Sequence, residues 1–140
     1  MSTTTSIERF IVAGGRTFTD RVLAETALAT MPADAVLVHG DCPGADQLCA
    51  TIWSSWGRTV EAHPARWSEC GPHCTAGHQR PRWDGSTYCP SAGPRRNQEM
   101  VAAGAQALLK LPGGRGTAGC VKLAQRAGIP VLPYPPGGAA

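Results

Sequence analysis

Short apolar runs alternate with amphipathic stretches along most of this chain. Arg9-Phe10-Ile11-Val12-Ala13 is rich in β-formers and stops at Gly14-Gly15-Arg16, which predicts a strand and then a turn. Thr17 to Asp20 has the spacing of a capping box, and Leu23, Ala27 and Met31 follow at helical period until Pro32 ends the helix. Ala35-Val36-Leu37-Val38 reads as a second buried strand, leading into the turn His39-Gly40-Asp41-Cys42-Pro43-Gly44. Behind it the period predicts a helix over Ala45 to Trp56. Leu48, Ile52 and Trp56 form its apolar stripe, and Gly57 sits at its C-terminal stop. Thr59 to Ala62 is a third strand.

Residues 66 to 95 show neither period. The alternation then resumes, with a helix over Arg96 to Ala103 stopped by Gly104 and a strand over Ala105 to Leu111. Pro112 to Thr117 is a loop, a helix with Val121 and Ala124 on one face runs to Gly128, and Ile129 to Leu132 is the last strand. Pro133 to Ala140 is a proline- and glycine-rich tail that is expected to fray. Short apolar strands separated by helices predict parallel βαβ units, so the expected fold is α/β. We read it as one Rossmann-like domain over 1–140, an open parallel sheet of about five strands with helices on both faces and an insertion over 66–95.

Composition narrows the function. Apolar residues make up 42% of the chain, enough for a packed core. A formal charge of +3 suits an anionic small ligand at least as well as a nucleic acid, which usually selects a stronger basic footprint. No apolar run is long enough to span a bilayer, so no membrane partner is expected. The polar start, Met1 to Ile7, lacks a basic-then-apolar pattern and predicts a cytoplasmic address, where cysteines serve as thiols or metal ligands. A homo-oligomer is compatible with the sequence.

Three glycine-bearing turns, Gly14-Gly15-Arg16, Gly40 to Gly44 and Pro112 to Thr117, each follow a strand and precede a helix. In an open parallel sheet such turns share the carboxyl edge, where ligands bind. Glycine allows close backbone approach, helix N-termini favour anions, and Arg16 and Arg115 can add charge-assisted contacts, so phosphate is the expected ligand group. Neither Gly-x-Gly-x-x-Gly nor a Walker Gly-Lys-Ser/Thr is present, which argues against ordinary NAD and P-loop sites.

Ala13-Gly14-Gly15-Arg16, His39-Gly40 with Gly44-Ala45-Asp46, Gly93-Pro94 with Arg96-Asn97 and Met100, and Pro112-Gly113-Gly114-Arg115-Gly116-Thr117 occur in this order. Together they resemble the YspA/YpsA-related branch of the SLOG superfamily, over roughly residues 8 to 132. Relatives there include the Lonely Guy phosphoribohydrolases, molybdenum-cofactor carrier proteins and the DNA-processing protein DprA. The resemblance implies that a nucleotide or nucleotide derivative is held by Gly14, Gly15, Arg16, His39, Gly40, Gly44, Asn97 and the segment Pro112, Gly113, Gly114, Arg115, Gly116 and Thr117. In the Lonely Guy pattern an arginine four residues before a methionine and a glutamate after the glycine motif carry N-glycosidase chemistry. Arg96 matches the arginine, but Cys120 stands at the glutamate position. A thiol cannot stabilise oxocarbenium character as a carboxylate does. Asp46 and Asp41 are the carboxylates near the crevice. Arg96 and Asp46 are therefore the catalytic candidates if there is turnover, while Asp46 also suits a purely structural place in a helix first turn. The alternative function is binding of single-stranded nucleic acid, as in DprA.

The aperiodic insertion calls for something to organise it. Cys70-x3-Cys74-x3-His78-x10-Cys89 supplies three thiolates and an imidazole, a set suited to a structural, tetrahedral Zn²⁺, with His73 as the alternative imidazole. Cys49 and Cys120 read as small buried residues. Arg66, Arg80, Arg82, Arg95 and Arg96 are interleaved with Trp67, Trp83 and Tyr88, a mixture that can stack on a base and grip phosphate. The zinc-stapled insertion is expected to lid the site.

Overall fold

The computed structural model describes residues 6–72, 74, 75 and 77–136. β1 (Arg9–Ala13), β2 (Val36–His39), β3 (Val60–Ala62), β6 (Ala107–Lys110) and β7 (Val131–Pro133) form one sheet in the order β3-β2-β1-β6-β7. Every pairing in it is parallel. The apolar runs fit this because strands covered on both faces cannot alternate apolar with polar. β1 sits at the centre, and its residues Phe10 and Val12 point to one face while Ile11 and Ala13 point to the other.

Those two faces carry different helices. α1 (Arg21–Leu28) and α2 (Ala45–Ser55) pack with Phe10, Val12, Leu37 and Leu109, whereas α3 (Ala92–Ala103) and α4 (Arg115–Arg126) place Met100, Cys120 and Ala124 against Ile11, Val38 and Leu108. Trp53 of α2 is fully buried and meets Phe10 edge-on at 5.0 Å, with its indole N–H donating to the Ala35 carbonyl at 3.3 Å. No helix among the described residues is long and apolar enough to cross a membrane.

Several boundaries differ from the sequence expectation. Asp20 is itself the N-cap of α1, accepting from the Leu23 amide at 3.0 Å, so the Thr17 capping box does not form. That helix ends at Leu28, before Pro32. α2 buries Ala45, Cys49, Ile52 and Trp53, so its stripe is rotated from the expected Leu48 and Trp56; Trp56 is 40% exposed, and Arg58 lies over both indoles. α3 starts at Ala92, four residues early, because a proline is tolerated in a first turn, where its missing N–H has no partner anyway. Arg115, Gly116 and Thr117 belong to the first turn of α4 and not to a loop. Strands β6 and β7 are shorter than the runs that signalled them, and Pro133 closes β7 where the tail was expected to begin. Residues 137–140 of that tail lie outside the described residues. Within the insertion, β4 (Arg80–Pro81) and β5 (Thr87–Tyr88) form a small antiparallel hairpin.

An ion cluster links the central strand β1 to the edge strand β3. Arg9 makes two parallel bonds to the Glu61 carboxylate at 2.7 and 2.6 Å, and His63 Nε2 lies 2.6 Å from the same group. The Arg9 guanidinium foremost, and then His63, hold Glu61 down at about 2 against an ordinary 4.5. Between these values the unfolded chain takes up a proton that the folded chain refuses, so acid removes stability over that window. Glu61 is 36% exposed, so salt screens the effect. The melting temperature of the wild type is expected to fall more steeply than that of Glu61→Gln as pH drops from about 4.5 towards 2. Thermal denaturation across that range checks it, and parallel curves for the two proteins would contradict the assignment.

Candidate functional site

The carboxyl ends of β1, β2 and β6 lie side by side in the sheet, and their three turns interlock there. The Gly15 amide donates to the Pro112 carbonyl at 2.8 Å, and the Gly15 carbonyl accepts from Ala45 at 3.1 Å and Phe18 at 3.2 Å. The contacts leave no room for side chains. A Cβ on Gly15 would sit 3.1 Å from the Gly113 Cα, and one on Gly44 would run into the Gly15 carbonyl, at a backbone φ of +85° that also favours glycine.

Two of the three turns therefore spend their polar backbone on one another. The α2 N-terminus is mostly occupied, since Ala45 donates to Gly15, Gln47 donates to the Cys42 carbonyl, and the Asp46 carboxylate, itself an anion in the first turn, accepts from the Gly40 amide at 2.8 Å. The third turn is different. α4 starts at N-cap Gly114 without a side-chain cap, and the amides of Arg115, Gly116 and Thr117 have no acceptor among the described residues. These open donors stand at the positive end of a twelve-residue helix, an arrangement that suits an anion.

A cleft of about 830 Å³ lies over this helix end. It brings together Gly14, Gly15, Arg16, Asp46, Arg96, Asn97 and the whole of Pro112–Thr117, as the sequence suggested. His39, Gly40 and Gly44 do not line it. His39 is buried beneath, its Nδ1 accepting from the Asp41 amide at 2.9 Å; burial pushes its pKa down and keeps the ring neutral. Gly40 is bare because the Arg96 guanidinium occupies the place of a side chain.

Arg96 itself is 7% exposed, and its nitrogens are committed to the protein. They donate to the Gly40 carbonyl, the His63 carbonyl at 3.3 Å, Asn97 Oδ1 at 2.8 Å and Cys42 Sγ at 3.4 Å. It works as a tether between α3 and the β2 turn, with little left to offer a ligand. Burial pushes Asp46 above its usual range, opposed by the backbone donors of Gly40 and Cys42 and by Arg96. Burial likewise pushes the Cys120 thiol up to about 11, so it is neutral at physiological pH. Sequence reasoning missed Phe18, Gly119, Lys122, Leu123 and Arg126, which also line the cleft. The signal was available for α4, where positions 115, 119, 122 and 126 share one helical face.

The insertion contributes the other wall. Trp67 lines the cleft, packs on Gly93, and has the Arg16 guanidinium 5.6 Å from its ring. Its carbonyl accepts from the Cys89 amide at 2.6 Å, which links the wall directly to the cysteine cluster. Cys70, Cys74, His78 and Cys89 lie together, their ligand atoms all within 4.8 Å of one another, and could hold a metal ion. Cys70 Sγ and His78 Nε2 are 3.1 Å apart, Cys74 Sγ and Cys89 Sγ 3.7 Å, and Cys89 Sγ and His78 Nε2 3.4 Å. None of these cysteines is in a disulfide. His73, the alternative imidazole, lies outside the described residues.

The surroundings of Cys89 favour its thiolate, whereas burial foremost pushes Cys70 the other way. Arg95 reaches Cys74 and Cys89 at 3.5 Å each, and the Gly71 amide reaches Cys74 at 3.2 Å. Burial raises the Cys89 thiol, but donors led by Arg95 outweigh it and bring the group down to about 6.

No family model matches the chain. The chain is similar to the Gene 61 protein of Mycobacterium phage D29, at 36% identity over 141 residues that cover 91% of this chain and 97% of that protein.

Cys74→Ser is expected to lower bound metal from about one ion per chain to a small fraction of that, because a four-ligand site loses most of its affinity with one thiolate. Residues 68 to 90 should then be cut readily by protease while the sheet stays folded. Elemental analysis and limited proteolysis check both, and full metal retention would remove Cys74 from the ligand set.

Proposed function

This chain belongs to the family of the phage Gene 61 protein, and we propose that it binds a nucleotide or nucleotide derivative through a phosphate seated on the N-terminus of α4. In this reading the domain is of the SLOG type, with its insertion stapled by zinc. A tetrahedral Zn²⁺ with bonds of about 2.3 Å to sulfur separates two thiolates by about 3.8 Å, close to the 3.7 Å between Cys74 and Cys89.

One observation carries the phosphate reading. A Cβ at Gly114, Gly116 or Gly119 would meet nothing, yet all three line the cleft and the last two lie inside α4. Glycine inside a helix costs about 1 kcal/mol against alanine, so the fold gains nothing from Gly116 and Gly119. A ligand that must approach the bare backbone does. Arg115 in the same first turn opposes the helix dipole, which is reasonable only where an anion arrives.

The geometry favours binding over turnover. Asp46 is the carboxylate lining the cleft among the described residues, and it is already engaged by the Gly40 amide. If the N-glycosidic bond is cleaved, Asp46 is the group that serves it, and Asp46→Asn should abolish release of free base while leaving binding intact. A second reading, single-strand binding, draws on Trp83, which is 98% exposed at the tip of the β4-β5 hairpin beside exposed Arg80 and Arg82. A steep fall of oligonucleotide affinity with salt would support it.

A saturating nucleoside monophosphate is expected to raise the melting temperature, by about 2.7 kcal/mol of stabilisation at a hundredfold excess over Kd. Gly114→Asp should abolish the shift by setting a carboxylate against the phosphate. Gly119→Ala should stabilise the free protein by up to about 1 kcal/mol and weaken the ligand shift. Differential scanning fluorimetry reads both effects, and an unchanged ligand shift in both variants would contradict the site.

A further inference from the structure

The α4 helix carries more charge than one phosphate needs. Its sequence, Arg115 to Arg126, holds three cations and no acid, as much net positive charge as the +3 of the whole chain. Arg115, Lys122 and Arg126 are separated by seven and eleven residues, so they fall within an arc of about 40° on the helix. That face is opposite the one packed on the sheet through Thr117, Cys120 and Ala124, and all three cations line the cleft. Among the described residues none of them is ion-paired.

We infer that the ligand is a nucleotide bearing a second anionic group, a phosphate or pyrophosphate beyond the ribose, which lies along α4 against Lys122 and Arg126. This rests on the reading of the α4 N-terminus as the first phosphate site. Lys122 and Arg126 are four residues apart, a spacing at which like charges repel along a helix, so an anion shared between them relieves a standing cost. Their Cα atoms lie about 10 and 16 Å along the axis from Arg115. Helical side chains lean back towards the N-terminus, so their charged heads come closer to the first phosphate than that. Gly119 lies between the two sites on the same face, where a Cβ would meet open space, and leaves a passage over bare backbone.

The volume agrees. At about 830 Å³ the cleft is near the upper end of the range for small-molecule sites. A mononucleotide offers charge at one end only and would leave Lys122 and Arg126 unneutralised. Apolar Met100, Leu123 and Phe18 supply contacts for a base or ribose between the charged ends.

Isothermal titration calorimetry with the four common nucleoside monophosphates and the matching bisphosphates, phosphorylated on both sides of the ribose, tests the inference. The bisphosphate of the preferred base should bind the wild type about tenfold more tightly than its monophosphate. Lys122→Gln/Arg126→Gln should abolish that preference by weakening the bisphosphate about tenfold more than the monophosphate. Equal affinities, or a preference that survives the double variant, would overturn the second site while leaving the first intact. Failure of every nucleotide to bind would overturn the first site and this inference with it. A single-stranded oligonucleotide that displaces the bisphosphate and loses affinity in the double variant would assign the stripe to a nucleic-acid strand instead.

Discussion

The backbone of Gly15 joins the three turns on which the site depends. Its amide donates into the β6 turn at Pro112, and its carbonyl accepts from the first residue of α2. The bonds require close backbone approach, which is why Gly15, Gly44 and Gly113 cannot carry side chains. Once made, they close the first two turns and fix the direction of the third. The open amides of α4 are then held against a sheet whose central strand is buried from Phe10 to Ala13. Donors positioned in this way by the sheet edge are preorganised for the anion proposed to bind there.

The cysteine cluster supports the same site from the side. The insertion is rich in arginine, proline and glycine and has little apolar surface to bury, so its ordering entropy needs another source of compensation. Around a divalent cation, three thiolates and an imidazole would leave one negative charge, and Arg95, which lies against two of the sulfurs, would offset it. The next residue, Arg96, tethers α3 to the β2 turn. Cys89 and Trp67 share a backbone hydrogen bond, so the cysteine cluster and the cleft wall are joined directly.

The five parallel strands and the cluster of glycine turns were legible because apolar runs and strand-to-helix punctuation are local signals, whereas the strand order was not. The cysteine cluster was legible for the same reason, its ligands being spaced within twenty residues. The rest depended on tertiary contacts. The α2 face turned so that Trp53 could meet Phe10, which no helical period could distinguish from Trp56. The helix expected from Arg96 begins at Ala92, with Pro94 in its first turn. Arg96 matched a family motif, yet its guanidinium is engaged by carbonyls from residues 40 and 63. Which of three similar turns stayed open could not be read from glycine content, since bonds between turns decided it.

The central claim is that the α4 N-terminus, and not the other two turns, receives the anion. Backbone amide chemical shifts followed during titration with a nucleoside monophosphate test it most directly. The largest perturbations are expected at Arg115, Gly116 and Thr117, with Gly15, Ala45 and Gln47 moving little because their amides are already bonded. Perturbations centred on the β4-β5 hairpin around Trp83, or on the β2 turn with α4 unmoved, would contradict it.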